Sequence, residues 1–165
     1  MTNRVYISGN VKDEMRIKQI RNLIWTRTKA HEFYKKKHPH VTLVPRFSVK
    51  DKNLEEVKSI VDQTSFEGEE LEVTSLCMYE NIHEPYVVEL NLRHDMESKI
   101  DSLVKQVDSC VSSSVNYPNS LHITLFKTQG WWDDIPVRLK KKLQDEIGHI
   151  NMEKTQISDV RVDVK

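Results

Sequence analysis

Two short stretches carry residues able to move protons, His40-Val41-Thr42-Leu43 and His122-Ile123-Thr124-Leu125. In an extended strand alternate side chains point to opposite faces, so each imidazole shares a face with the hydroxyl two positions on. Val41 and Leu43, like Ile123 and Leu125, take the other face. Each copy therefore reads as a strand with an apolar side for a core and a reactive side for a cleft. Composition alone gives a chance expectation of about 0.03 for His-x-Thr-Leu in a chain like this, so two copies stand out. A half-buried strand whose histidine only completes a local hydrogen bond accounts for one copy better than for both.

Two imidazoles and two hydroxyls around one cleft suit displacement at a phosphodiester. The reaction runs nearly in line, so acid and base stand on opposite sides of the phosphorus. Imidazole, with an unperturbed pKa of about 6.5, serves in either role near neutral pH. Thr42 and Thr124 are placed to donate hydrogen bonds to the nonbridging oxygens, where charge develops in the transition state. This chemistry calls for no metal and no organic cofactor. The likeness of the copies leaves open which histidine is the acid.

The elements that must position these strands are legible in the pattern. Arg4 to Gly9 alternates Val5 and Ile7 against Tyr6 and Ser8, a short strand ended by Gly9-Asn10. From Val11 to about Lys29, Met15, Ile20, Leu23 and Ile24 recur at helical spacing, and Leu54, Val57, Ile60 and Val61 do so between Asp51 and Val61. Glu70 to Glu80 reads as a strand. Tyr86 to Leu92 alternates apolar residues with Val87, Glu89 and Asn91. Asp95 is the expected cap of a helix carrying Met96, Ile100, Leu103, Val104 and Val107. After the Ser-rich loop 112–119 and the second motif strand, Asp134 and Pro136 predict a helix through Leu139, Leu143 and Ile147, and Val160, Val162 and Val164 a last strand.

The second half thus replays the first. The separations Val5 to His40 and Tyr86 to His122 differ by one residue, and those from Thr42 to Val73 and Thr124 to Ile157 by two. The expected fold is an α/β (α+β) single domain over residues 1–165. An internal duplication of strand, helix, strand, helix, strand makes two pseudo-symmetric lobes, roughly 1–80 and 81–165, with chain ends free to cross over. Two small, mainly antiparallel sheets are expected to form a central cleft with helices outside. Tyr6, Ser8, Val87 and Glu89 are predicted to share the cleft face with the motif residues.

Composition narrows the partner. Hydrophobic residues at 38% and charged residues at 30% belong to a soluble globular chain. Lys plus Arg and Asp plus Glu both number 25, so the formal net charge is zero and no basic field announces a long duplex. RNA ends or small nucleotides need only a local one. Cys77 and Cys110 form no zinc or CxxC spacing, and no apolar run is long enough for a membrane span, so a cytoplasmic protein with free thiols is expected. Nothing in the sequence calls for an obligate protein partner.

At the paired motifs the chain resembles a known family. The two HxTx stretches, with Pro39 through Phe47 reading Pro-His-Val-Thr-Leu-Val-Pro-Arg-Phe, are similar to the signatures of the 2H phosphoesterase superfamily, which includes RNA 2',3'-cyclic phosphodiesterases and proteins called 2'-5' RNA ligases. The duplicated order of elements extends the resemblance over nearly the whole chain. It implies a metal-independent phosphoesterase with His40 and His122 catalytic and Thr42 and Thr124 binding phosphate. It leaves the substrate linkage open.

Other residues are open to both a functional and a structural role. Arg46 lies in strand phase with His40 and Thr42 and suits phosphate, although Pro45 interrupts that phase. Lys127 falls on the opposite parity and is expected in solvent, as is the Lys35 to Lys37 run in a loop. Among Tyr6, Phe47, Tyr117, Trp131 and Trp132, Tyr6 and Trp131 are the candidates for base contact and the rest for packing. His38 lacks partners at metal-ligand spacing, and His31, His83, His94 and His149 read as surface or structural. The leading expectation is hydrolysis of a 2',3'-cyclic phosphate at a nucleotide or RNA end. A phosphodiesterase or reversible ligase for 2'-5'-linked or cyclic oligonucleotides is the second. A non-catalytic nucleotide- or RNA-binding module is the alternative of another class, with a zinc hydrolase more distant.

Overall fold

The computed structural model describes residues 1–28, 32–35, 38–79, 86–128, 137–138, 141–142, 145 and 154–164. In chain order the elements are β1 (Thr2–Val11), α1 (Glu14–Thr28), β2 (Glu32–Lys35), β3 (His40–Lys50), α2 (Asp51–Asp62), β4 (Glu70–Tyr79), β5 (Tyr86–Arg93), α3 (Glu97–Cys110), β6 (His122–Thr128) and β7 (Lys154–Val164). Most of the helix expected from Asp134 lies outside the described residues. So do His31, Lys36, Lys37, His83, Trp131, Trp132 and His149, together with the side chain of Lys127.

Two local expectations need correction. Lys35 belongs to β2, which runs antiparallel along β6 with Lys35 opposite Phe126, and so does not sit in a loop. Asp95 does not cap α3. Met96 occupies the cap position, and its backbone N–H donates to Nδ1 of His94 at 3.0 Å. An imidazole nitrogen thus takes the orphan donor that a carboxylate was expected to take.

The sheet is one closed ring, not two separate small sheets. β1 lies between β3 and β7, β7 continues to β4, β4 to β5 and β5 to β6, and β6 returns to β3, every neighbour antiparallel. What the sequence could not show is the pair of seams. Glu70, Leu71 and Glu72 of β4 pair with Gln156, Thr155 and Lys154 of β7, and Val41 of β3 pairs with Ile123 of β6. Joining the edges there satisfies backbone groups that two open sheets would leave exposed.

The two halves interlock in this ring. β4 pairs with β5 of the second half, and β7 pairs with β1 of the first. Exchanging β1 with β5, β3 with β6 and β4 with β7 returns the same ring order.

The helices lie outside the ring, where the apolar faces are. Ile17, Ile20 and Ile24 of α1, Val57 and Val61 of α2, and Ile100, Leu103, Val104 and Val107 of α3 are buried, each set recurring in helical steps. They share one core with Val5, Ile7, Val41, Leu43, Val88, Leu90, Ile123 and Leu125 from the strands. Each such side chain contributes about 1.5 to 3 kcal/mol relative to exposure. Val87 is buried but lies outside this core cluster, consistent with the cleft-side position expected for it.

Candidate active site

The motif strands meet at their apolar residues. Val41 lies opposite Ile123, and both are fully buried. Continuing that antiparallel register by one residue sets His40 level with Thr124 and Thr42 level with His122.

Both imidazoles are tethered in the same way. Nδ1 of His40 lies 3.2 Å from the carbonyl oxygen of His38, and Nδ1 of His122 lies 3.1 Å from that of Ser120. A carbonyl oxygen only accepts, so in each pair the ring nitrogen carries the hydrogen and donates it. Nε2 is the nitrogen of each ring that this tether does not engage. The neighbouring strands repeat the arrangement: Asn10 pairs with His40 and Ser8 with Thr42, while Asn91 pairs with His122 and Glu89 with Thr124.

Around this frame the two halves diverge in chemistry. Buried Ser8 donates to Asp163, which also accepts from Nε of Arg161 at 2.8 Å, and Nη1 of Arg161 donates to Asn10 at 2.7 Å. In the second half Asn91 donates to Ser75 at 3.2 Å and to Sγ of Cys77 at 2.7 Å. Buried Glu89 places Oε2 3.4 Å from Nε2 of His122. Asn10, Asn91 and Arg161 escaped the sequence reading as site neighbours. For Asn91 the signal was available, since it alternates in phase with Glu89.

A pocket of about 620 Å³ opens beside the second motif, lined by Thr42, Pro45, Glu89, His122 and the loop Asn116 to Ser120. His40 and Thr124 are not part of that lining. Tyr6 stands beside His40 with ring centroids 6.0 Å apart and planes tilted by 36°. Arg46 is exposed and absent from the pocket wall, whereas Pro45 contributes to it. The cause is a pair of bulges in β3. Between Ser8↔Thr42 and Ile7↔Val44 the strand carries Leu43 as an extra residue, and it gains another before Val5↔Phe47. The first bulge reverses the alternation after Thr42, so Leu43 and Val44 are both buried and Arg46 leaves the phase of His40. The second copy has the matching bulge, with Leu125 between Glu89↔Thr124 and Val88↔Phe126.

Residues nearby mainly hold the frame. Phe47 is in the core, and Tyr117 is exposed, its hydroxyl donating to Asp101. His38 is exposed with Nδ1 3.1 Å from Oε1 of Glu14. Hydrogen bonds from Lys18 and then His38 hold the Glu14 carboxyl below the ordinary carboxylate range. Cys77 and Cys110 are free thiols. Among the described residues, no group of three His, Cys, Asp or Glu side chains gathers as a metal site, and no helix is long and apolar enough to cross a membrane.

No protein-family model and no curated protein matches the chain. Solved structures do match its fold. Usb1 of Kluyveromyces marxianus with uridine monophosphate aligns at a TM-score of 0.61 and 13% identity, covering 98% of this chain and 94% of that one. E. coli LigT in apo form aligns at 0.56 and 15%, covering 99% and 87%. A structure described as a phosphoesterase aligns at 0.52 and 17%, covering 77% and 74%. Usb1, a phosphoesterase and LigT, of the 2H phosphoesterase family, are thus among the neighbours of this fold. At these identities the likeness is one of fold, and it agrees with the resemblance carried by the paired motifs.

Proposed function

We propose that this chain is a metal-independent phosphodiesterase that opens a 2',3'-cyclic phosphate at a nucleotide or RNA end, with His40 and His122 as acid and base and Thr42 and Thr124 on the phosphate. The observation that supports the reading is the seam at Val41 and Ile123, which joins the two motif strands, together with the matching carbonyl tether on each imidazole. A binding module has no need of two proton-transfer groups presented alike. In-line displacement requires an acid and a base on either side of the phosphorus, a pair that two imidazoles can supply, and each positioned proton transfer contributes about 10² to 10⁴ in rate.

The pocket of about 620 Å³ falls in the size range of small-molecule sites and has room for the nucleoside attached to the phosphate. The uridine monophosphate bound by the Kluyveromyces neighbour supports a nucleotide ligand here. The same volume keeps cleavage of 2'-5'-linked or cyclic oligonucleotides as the second reading.

The test is a turnover assay in EDTA offering 2',3'-cyclic mononucleotides, a cyclic-phosphate-ended RNA and a 2'-5' oligoadenylate, with the His40→Ala/His122→Ala double variant as control. Cleavage of a cyclic phosphate by the wild type and loss in the control is the expected result. Binding without turnover of any of the three would replace the enzyme by a binding module, and activity abolished by EDTA would reject the metal-independent mechanism.

A further inference from the structure

Across β7, β1 and β3 the register sets Arg161 opposite Ser8 and Ser8 opposite Thr42, and directly opposed residues project from the same face of a sheet. Tyr6 lies opposite Asp163, and Asn10 opposite His40, in the same way. One wall beside the first motif strand thus carries Tyr6, Asp163, Arg161 and Asn10. Nε of Arg161 donates to Asp163 at 2.8 Å and Nη1 donates to Asn10 at 2.7 Å, yet 38% of the side chain is exposed. The guanidinium fork is fixed in direction without being covered.

The ring itself does not call for a cation there. In the second half the residue opposite Glu89 is Cys77, and Asn91 donates to that thiol where Asn10 accepts from the guanidinium. Nor does the charge suit a second phosphate. Asp163 touches the guanidinium, and Asp159 lies one hydrogen bond beyond it, accepting from Asn10 at 3.0 Å. Another anion would be repelled by both carboxylates, whereas a neutral acceptor would not. The oxygens of Asp163 already accept from Arg161 and Ser8, and those of Asp159 from Asn10, so what this wall presents is a donor. Beside it stands the Tyr6 ring, 6.0 Å from that of His40. An aromatic face next to a fixed donor fork recognises a nucleobase, by stacking and by an acceptor on its edge.

We propose that Arg161 is a specificity-determining residue, which with Tyr6 binds the base of the nucleotide preceding the cyclic phosphate and selects guanine and uracil over adenine and cytosine. Guanine and uracil carry carbonyl acceptors where adenine and cytosine carry amino donors, and a guanidinium only donates. The inference rests on the phosphodiesterase reading above and narrows its substrate to an RNA end of at least two nucleotides. The terminal nucleoside keeps the pocket lined by Thr42, Pro45 and His122, and the chain leads back from it over the wall of β1 and β7.

The test compares kcat/KM on uridine 2',3'-cyclic phosphate with that on dinucleotides ending in the same group, preceded by guanosine, uridine, adenosine or cytidine. The wild type is expected to favour the guanosine and uridine dinucleotides by about tenfold. Arg161→Gln, whose amide both donates and accepts, should erase that preference. Arg161→Lys keeps a cation beside Asp163 but loses the fork, and should shrink it. Each variant's rate on the mononucleotide serves as its own reference, so a general loss of folded enzyme cancels in the ratio. A wild type that cleaves all the dinucleotides without preference, or a preference kept in both variants, overturns the inference and leaves the phosphodiesterase standing. So does a preference that follows the terminal base, read by exchanging uridine for cytidine cyclic phosphate, and that falls in the Arg161 variants. A wild type that turns over none of these esters overturns the phosphodiesterase reading, and this inference with it.

Discussion

Val41 and Ile123 are cross-strand partners at the junction of β3 and β6, and they are also the same position of the duplicated motif. A pairing of equivalent residues places a local twofold axis between them.

The seam is therefore where packing and chemistry meet. Ile123→Ala removes buried methyl groups from a fully buried position, and the expected cost is about 2 to 5 kcal/mol, against about 0.5 to 1.5 kcal/mol for Ile123→Val. Urea unfolding measures both. A loss under 1 kcal/mol for the alanine variant would mean that the strands are not held together there.

The tether on Nδ1 allows a substitution that separates fold from chemistry. Asparagine places an amide donor near Nδ1 and has nothing at Nε2, so His40→Asn and His122→Asn should keep the carbonyl of His38 or Ser120 satisfied. Each variant is expected to melt like the wild type yet turn over about 10² to 10⁴ times more slowly on a cyclic phosphate. Near-wild-type turnover in either variant would show that its Nε2 transfers no proton.

Thr42→Val and Thr124→Val keep the shape of the side chain and delete its donor. If both hydroxyls bond the developing charge, each variant loses about 10² to 10³ in kcat, the cost of one preorganised donor. The pseudo-symmetry predicts losses of similar size. An unaltered kcat in one variant would leave the phosphate to the other hydroxyl.

Asp101 anchors the loop that walls the pocket, since its carboxylate accepts from Tyr117 and pairs with Lys105 at 2.9 Å. The Tyr117 hydroxyl first, and then Lys105, hold this carboxyl below the ordinary range. A group with a lowered folded pKa stabilises the fold above its unfolded pKa of about 4 and loses that contribution as pH falls through the folded value. Asp101→Asn should accordingly lower Tm slightly at pH 7, with the gap closing in acid below that range. Equal Tm values at pH 7 would show that the anchor adds nothing.

How far the sequence carried these conclusions depends on which interactions are local. Alternation placed Tyr6, Ser8 and Glu89 on the cleft side, and periods of three and four marked Ile100, Leu103, Val104 and Val107 as a buried stripe; both patterns repeat within one element. The bulges at Leu43 and Leu125 leave no such mark, because an extra residue shows only against its partner strand. Arg46 consequently looked in phase with His40 and ends up exposed. The closing seams, the carbonyl tethers and the His94 cap likewise join residues whose relation depends on the assembled chain.

The crossing of β4 and β7 has a consequence for the origin of the ring. A polypeptide corresponding to β1, β3 and β4 alone would leave β1 with one open side and β4 without its partner. Two such polypeptides, each lending its third strand to the other, would rebuild the whole circle with one histidine and one threonine from each. A homodimer of that kind would be interlocked, with a symmetry axis between its two copies of the motif strand. In a single chain the matching positions Ser8 and Glu89 can differ, which two identical copies would forbid.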